Sequence, residues 1–246
     1  MNISQTLPSS LADKMVVIFG GTSGIGLAAA VQAKAAGAKV IVVGSNAPRA
    51  EHAAIEHGLD GWRAADVTDR QAVETALADI PQVDHLVLLA GTFVAGSVLT
   101  ADLDYLHRAF DERIWASINA IRVLGDKLAK DGSITFISGS LADRPNAYGT
   151  AVLAAASAAM EALARGLSLE LAPVRVNTLS PGPINTPILG KALGEGRDAF
   201  VASLEQILPL HRLGTSDEAG AAAVFLMSNT FMNGAVLNID GGARLV

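Results

Sequence analysis

Gly20, Gly24 and Gly26 stand in a Gly-x-x-x-Gly-x-Gly spacing directly after the apolar run Met15–Phe19. The segment Gly20-Gly21-Thr22-Ser23-Gly24-Ile25-Gly26 then opens an Ala-rich amphipathic stretch, so the turn joins a strand to a helix. Such a turn suits a pyrophosphate. Glycine lets the backbone bend sharply and lets the anion approach, and the helix N-terminus offers unpaired N–H groups and a partial positive charge. The expectation is a nucleotide site on Gly20, Thr22, Ser23, Gly24, Ile25 and Gly26, against the plainer reading of an ordinary strand–helix turn. Selectivity should be set about 20 residues on, where an acid would take the ribose 2′-hydroxyl of NAD. The sequence there is Val43-Gly44-Ser45-Asn46-Ala47-Pro48-Arg49, without an acid. Ser45, Asn46 and Arg49 therefore read as ligands of a 2′-phosphate, and the cofactor as NADP, with NAD second. The alternative for Arg49 is a solvated residue at a helix start.

Other chemistries are excluded by composition. There is no cysteine, which removes disulfides, thiolate nucleophiles, Fe–S clusters and Cys-based zinc sites. The five histidines are scattered without an H-x-x-x-H pair, so no metal site is expected. Eighteen basic against twenty-four acidic residues leave a net charge of −6, which argues against a nucleic-acid surface. No apolar run reaches ~18 residues, so no membrane span is expected. The start MNISQTLPSSLADK has neither a basic start nor an apolar core, which makes a cytoplasmic location the expectation. Half of the residues are hydrophobic and 17% are charged, enough apolar material for a large core.

The elements that must position the turn alternate along the chain. Strand-like runs are Met15–Phe19, Val40–Val43, Gly61–Ala65, His85–Ala90, Ser133–Ile137, Val174–Leu179 and Ala235–Ile239. Helical stretches lie between them: Gly24–Ala36, from Ala47, from Thr68-Asp69, Leu103–Lys130 and Thr150–Leu171. Continuous apolar strands are buried on both faces, and strand–helix alternation gives parallel strands. The fold expected is α/β: a Rossmann-type, doubly wound sheet of seven parallel strands flanked by helices, in a single domain spanning 1–246. The stretch Pro181–Pro209 breaks the rhythm, and 187–209 reads as a lid over a substrate pocket.

With these motifs in place the chain resembles the short-chain dehydrogenase/reductase superfamily over nearly its whole length. Asp66-Val67 matches the family's acid at the end of the third strand, which faces the adenine. Ala90-Gly91 matches the second half of the fourth-strand Asn-Asn-Ala-Gly motif. The run from Leu169 to Asn177, then Ser180-Pro181-Gly182, looks like the sixth strand and the Pro-Gly turn beside the nicotinamide. Ile184 and Thr186 follow at the positions that contact its carboxamide, and Val236–Gly242 resembles the last strand.

The family's catalytic residues are mostly absent. It moves protons with a Tyr-x-x-x-Lys pair, aided by a Ser and an Asn. Neither Tyr105 nor Tyr148 has a lysine four residues on, and no lysine lies between Lys130 and Lys191. The family spacing puts Leu153 in the Tyr place, Ser157 in the Lys place, Ser140 in the Ser place and Arg113 in the Asn place. Leu88-Leu89 replace the fourth-strand Asn pair. Gly139 takes the Ser place if the register slips by one. Ser140, Tyr148 and Arg113 are then the candidate catalytic residues. Ser140 would donate to a substrate oxygen or cap the next turn. Tyr148 would protonate that oxygen from the loop entering the helix, or be a plain loop tyrosine. Arg113 would bind a ribose or polarise an oxygen, or pair with Asp111 or Glu112. Ser157 reads as filler for the missing lysine, and Trp115 as a packing residue.

Three functions remain open. The first is an NADP(H)-preferring oxidoreductase acting on a small carbonyl or alcohol. The second is a degenerate nucleotide-binding or sensing protein on the same fold. The third, a cofactor-independent lyase, fits least because the glycine turn is intact. The resemblance implies a homodimer or homotetramer built on the two long helices, a small-molecule substrate, and neither nucleic acid nor membrane as partner.

Overall fold

The computed structural model describes residues 11–246. Strand β1 (Met15–Phe19) leads through the glycine turn into α1 (Gly24–Ala35), followed by β2 (Lys39–Gly44), α2 (Ala47–Glu56), β3 (Gly61–Ala64), α3 (Arg70–Leu77) and β4 (Val83–Leu88). Then come α4 (Leu103–Phe110), a π-helical turn (Asp111–Trp115), α5 (Ala116–Leu124), β5 (Leu128–Ile137) and the twenty-residue α6 (Ala151–Glu170). The chain closes with β6 (Arg175–Pro181), β7 (Ile184–Asn185), α7 (Pro187–Leu193), α8 (Arg197–Ile207), β8 (Gly214–Thr215), α9 (Ser216–Ser228) and β9 (Val236–Ile239).

Seven strands pair in the order β3-β2-β1-β4-β5-β6-β9, all parallel. This is the doubly wound Rossmann architecture of a single domain. Strands β1 and β2 are almost wholly apolar because both faces are covered, whereas β4, β5 and β6 also bury polar side chains, His85, Ser133, Thr135, Arg175 and Asn177 among them. On one face Phe19, Leu88 and Phe136 pack with Val73, Ala120 and Met160 from α3, α5 and α6. On the other, Ile18, Val42 and Leu179 pack with Ala29, Ala33 and Leu226 from α1 and α9. Strand order reverses between β1 and β4, and the crevice beyond the strand ends there is where such sheets bind ligands.

One expectation is corrected. The stretch 103–130 is not one helix. The π turn interrupts it, Gly125 at φ +45° stops α5, and Leu128–Lys130 join β5. That positive-φ conformation is open to glycine and strained for residues with a Cβ, so the helix stops there. The stretch 187–209 contains the short helices α7 and α8 and is flanked by the two-stranded pair β7–β8.

Helix α6 is long and apolar enough to pass for a membrane span. The cause is its inward stripe, Leu153, Ala156, Ser157, Met160 and Ala164, which is buried. Such a stripe is the ordinary mark of a helix laid on a sheet.

Candidate functional site

The glycines of the first turn are there for space. A Cβ on Gly26 would lie 2.2 Å from the Gly20 carbonyl oxygen, and one on Gly20 would lie 2.8 Å from the Ala90 nitrogen. Gly20 itself has φ +78°, and its N–H bonds to the Val43 oxygen at 2.9 Å. The turn is therefore pressed between the ends of β2 and β4. Ser23 is the N-cap of α1 but makes no capping hydrogen bond with its side chain. Some other helices are closed at that end: Asp69 caps α3, and Thr215 with Glu218 forms a capping box on α9, whereas α6, α7 and α8 also lack a side-chain cap. The first-turn N–H groups of α1 have no such side-chain cap, which is the arrangement an anion completes. Thr186 lies over the turn, its Cγ2 3.4 Å from where a Gly24 Cβ would be. Thr186, which the resemblance sets at the carboxamide, thus lies against the glycine turn.

At the end of β2, Arg49 folds back so that its Nε donates to Thr22 Oγ1 at 3.3 Å. Asn46 also caps α2, its Oδ1 accepting the Arg49 N–H at 2.9 Å. Asp66, at the end of β3, accepts from the Thr68 N–H and hydroxyl through Oδ1. Its other oxygen stays open on an exposed residue. Pro181 ends β6, and Gly182 is small because a Cβ would strike Asp240 Cα at 2.7 Å. These residues fit a dinucleotide lying across the switch point, from Asp66 and Val67 at one end to Ile184 and Thr186 at the other.

The catalytic candidates occupy three places. Ser140 starts a short turn after β5, and its carbonyl accepts the N–H groups of Asp143 and Arg144. Ser138, just before it, is tied down: its Oγ lies 2.7 Å from Glu161 Oε1 and 3.1 Å from the Ser157 oxygen. Tyr148 lies in the loop before α6, 76% exposed. Leu153 and Ser157, the residues that the sequence spacing set in the Tyr and Lys places, stand buried in α6, 3% and 4% exposed. Ser157 offers no charge there.

Arg113 lies on the π turn, which packs against α6. Its Nη2 donates to the Thr92 oxygen at 3.0 Å, and Nη1 sits 3.5 Å from the Ala109 oxygen. A Cβ on Gly91 would lie 3.0 Å from the Arg113 Cζ. Burial holds the guanidinium below its ordinary pKa, with Glu112 pulling the other way. Glu112 is not its ion pair, as one reading had it, but pairs with Arg108 at 2.6 Å. Glu112 also accepts the Thr92 N–H and, at 3.1 Å, its hydroxyl. Two neighbouring residues of one turn thus hold both backbone groups of Thr92, and π bulges recur where function needs such reach. Thr92 and Glu112 escape sequence reasoning. Only the Arg108–Glu112 spacing, i and i+4, was readable. Trp115 is not a packing residue: it is 58% exposed and lines a cleft of about 400 Å³ with Asp66, Thr68, Asp111 and Asn119.

A Rossmann sheet with an open helix N-terminus at its switch point defines a dinucleotide-binding protein. The family model described as enoyl-(acyl carrier protein) reductase matches residues 20–244. The chain belongs to the short-chain dehydrogenase/reductase family, a family of NAD(P)(H)-dependent oxidoreductases. Among its relatives is short-chain dehydrogenase/reductase ATR9 of Stachybotrys chlorohalonatus, 31% identical, with 96% of this chain and 99% of the relative covered. The cyclic-di-GMP-binding biofilm dispersal mediator protein of Escherichia coli is 30% identical, over 93% of this chain and 96% of its own. A small-chain dehydrogenase crystallised with NADPH superimposes with a TM-score of 0.82 at 32% identity, covering 95% of this chain and all of the other.

Proposed function

We propose that the chain is an NADP(H)-preferring oxidoreductase of a small carbonyl or alcohol, working without the family's Tyr–Lys pair. The carrying observation is Arg49, drawn over Thr22 at the mouth of the phosphate turn with no acid beside it. A cation there suits a 2′-phosphate. The residues proposed to hold the cofactor are Gly20, Thr22, Ser23, Gly24, Ile25, Gly26, Ser45, Asn46, Arg49, Asp66, Val67, Ala90, Gly91, Pro181, Gly182, Ile184 and Thr186. Bound, NADPH supplies the hydride. The protein's own part is to orient the carbonyl and exclude water, which already supplies much of the rate. Ser140 orients the oxygen, Tyr148 or a solvent water delivers the proton, and Arg113 adds a fixed positive charge. Helices α7 and α8 cover the substrate pocket.

Titration with NADPH and NADH, followed by nicotinamide fluorescence, tests the cofactor. Arg49→Ala is expected to weaken NADPH roughly 10- to 100-fold, the worth of one charge-assisted contact, and to leave NADH nearly unchanged. Equal weakening of both nucleotides would remove the 2′-phosphate role. Turnover of a carbonyl panel tests the chemistry. Ser140→Ala should lower kcat by about 10²-fold, the cost of one donor at a developing oxyanion. For Tyr148→Phe, a loss of about 10²-fold or more assigns the proton to the phenol, and an unchanged rate assigns it to water. If neither variant changes turnover, both assignments fail.

The second reading, a nucleotide-binding sensor without turnover, is favoured by one observation. Leu153 and Ser157, which the sequence spacing sets in the places of the family's Tyr and Lys, are buried and carry no charge. Tight NADPH binding with no carbonyl reduced would select it.

A further inference from the structure

The cluster around Arg113 carries one positive charge that no carboxylate among the described residues pairs with. Arg108 and Arg113 bring two guanidinium groups, and Glu112 brings one carboxylate. That carboxylate is spent on Arg108 and on Thr92. Among the described residues no carboxylate pairs with Arg113, whose contacts are the carbonyls of Thr92 and Ala109. Asp111 is exposed on the same turn, and Asp66 lines the neighbouring cleft with Arg108 and Glu112, not with Arg113. Carbonyl dipoles offset a half-buried cation only in part, and a group kept in that state is a candidate for a ligand to complete.

The geometry narrows the ligand. A Cβ on Gly91 would be 3.0, 3.1 and 3.2 Å from Cζ, Nη1 and Nη2 of Arg113. Near-equal distances to three atoms of one plane mean that Gly91 meets the flat face of the guanidinium. Its donors then point along the edges, and the two described contacts use two of the five N–H groups. A free edge of a fixed guanidinium matches a carboxylate in two parallel hydrogen bonds. The cofactor's phosphates have their own partners in the glycine turn and Arg49. Gly91 instead sits on the loop after β4, and α6 packs against both the π turn and the Ser140 turn.

We propose that Arg113 binds a carboxylate of the substrate, so that the chain acts on oxo acids and the corresponding hydroxy acids. This rests on the oxidoreductase reading above. The carbonyl carbon of the oxo acid takes a hydride and its oxygen takes a proton, giving the hydroxy acid and NADP⁺. The carboxylate is unchanged.

The test compares phenylglyoxylate with acetophenone, and acetoacetate with acetone, on wild type, Arg113→Gln and Arg113→Lys. Wild type is expected to prefer the acid of each pair by about 10²-fold in kcat/KM. Arg113→Gln should abolish that preference through KM while NADPH affinity stays within about 3-fold, and Arg113→Lys, charged but without the planar fork, should recover part of it. Equal rates on neutral ketones overturn the proposal, as does an NADPH affinity that falls with Arg113→Gln by the same factor as the acid preference. Calorimetry of mandelate with the NADP⁺-loaded protein, and with the protein alone, gives a readout apart from turnover. Saturable binding that weakens at least about 10-fold in Arg113→Gln supports the proposal, and no saturable binding overturns it. Failure of NADPH itself to bind sinks the oxidoreductase reading separately, since mandelate binding to the protein alone still decides Arg113.

Discussion

A Gly26→Ala variant is expected to lose NADPH binding by roughly 100-fold or more, with the folded state destabilised by about 1–3 kcal/mol. The added methyl would sit 2.2 Å from the Gly20 oxygen and 2.8 Å from its carbon. Both obstacles are backbone, so no side chain can swing aside. Relief requires the start of α1 to move away from the glycine turn. Those N–H groups are the ones that would cradle the pyrophosphate, and each lost charge-assisted hydrogen bond is worth about 1.5–3 kcal/mol. Gly58→Ala is the control. Gly58 also has a positive φ, +60°, but a Cβ there meets nothing within 4 Å. It should cost a little stability through backbone strain and leave NADPH affinity alone. Fluorescence titration and thermal unfolding of both variants check the difference. Unchanged NADPH affinity in Gly26→Ala would mean that the nucleotide does not lie on this turn.

The contrast between these two glycines also shows what a sequence carries. The Gly-x-x-x-Gly-x-Gly spacing was readable because its cause is local: one turn, one helix start, one strand end. The parallel strands were readable for a similar reason, since burial on both faces leaves short apolar runs such as Val16–Phe19 and Val40–Val43. The break at 111–115 was not. Nothing in Asp-Glu-Arg-Ile-Trp forbids an ordinary helix, and the π turn earns its place only through Thr92, some twenty positions away in the chain. Leu128–Lys130 were lost to the helix because their pairing partner, Val83, is distant and the ladder is irregular there. Asn46 could be placed at a helix start, but whether its oxygen would cap the helix or face a ligand is a matter of side-chain direction. For Arg113, family spacing located the position. The unanswered charge depended on Glu112 choosing Arg108, which spacing alone left open.

Acid is expected to weaken the fold between about pH 6.5 and pH 4 by roughly 3 kcal/mol through one buried histidine. His85 on β4 is 4% exposed, and its Nδ1 is 2.8 Å from Ser133 Oγ on β5. Burial pushes its pKa down from 6.5 to about 4, and the Arg175 guanidinium pushes the same way. Asp84 and Asp131 pull upwards, and Lys14, bridging those two carboxylates at 3.1 Å each, offsets part of their pull. The unfolded chain takes up a proton near pH 6.5 while the folded chain resists until about pH 4. His85 therefore contributes full stability above pH 6.5, loses it progressively as pH falls towards 4, and contributes no further slope below. The carboxylate Glu218, held down to about 2 by Arg212, titrates from 4.5 downwards, outside most of that window. Arg175 cannot retreat from His85. Its two terminal nitrogens donate to the carbonyls of Leu226 and Met227 at the end of α9 and of Asn229 and Met232 in the loop beyond, between 2.7 and 3.3 Å. Urea unfolding of wild type and His85→Gln at pH 7.5 and pH 5 checks the assignment. Wild type should lose stability between the two, and His85→Gln should lose much less. Arg175→Met makes the second comparison. It should destabilise the fold at every pH, because four carbonyls lose their hydrogen bond from Arg175, yet show a shallower pH slope because His85 no longer faces a cation. If the Arg175→Met slope equals that of wild type, burial alone sets the His85 pKa and the cation beside it does not matter.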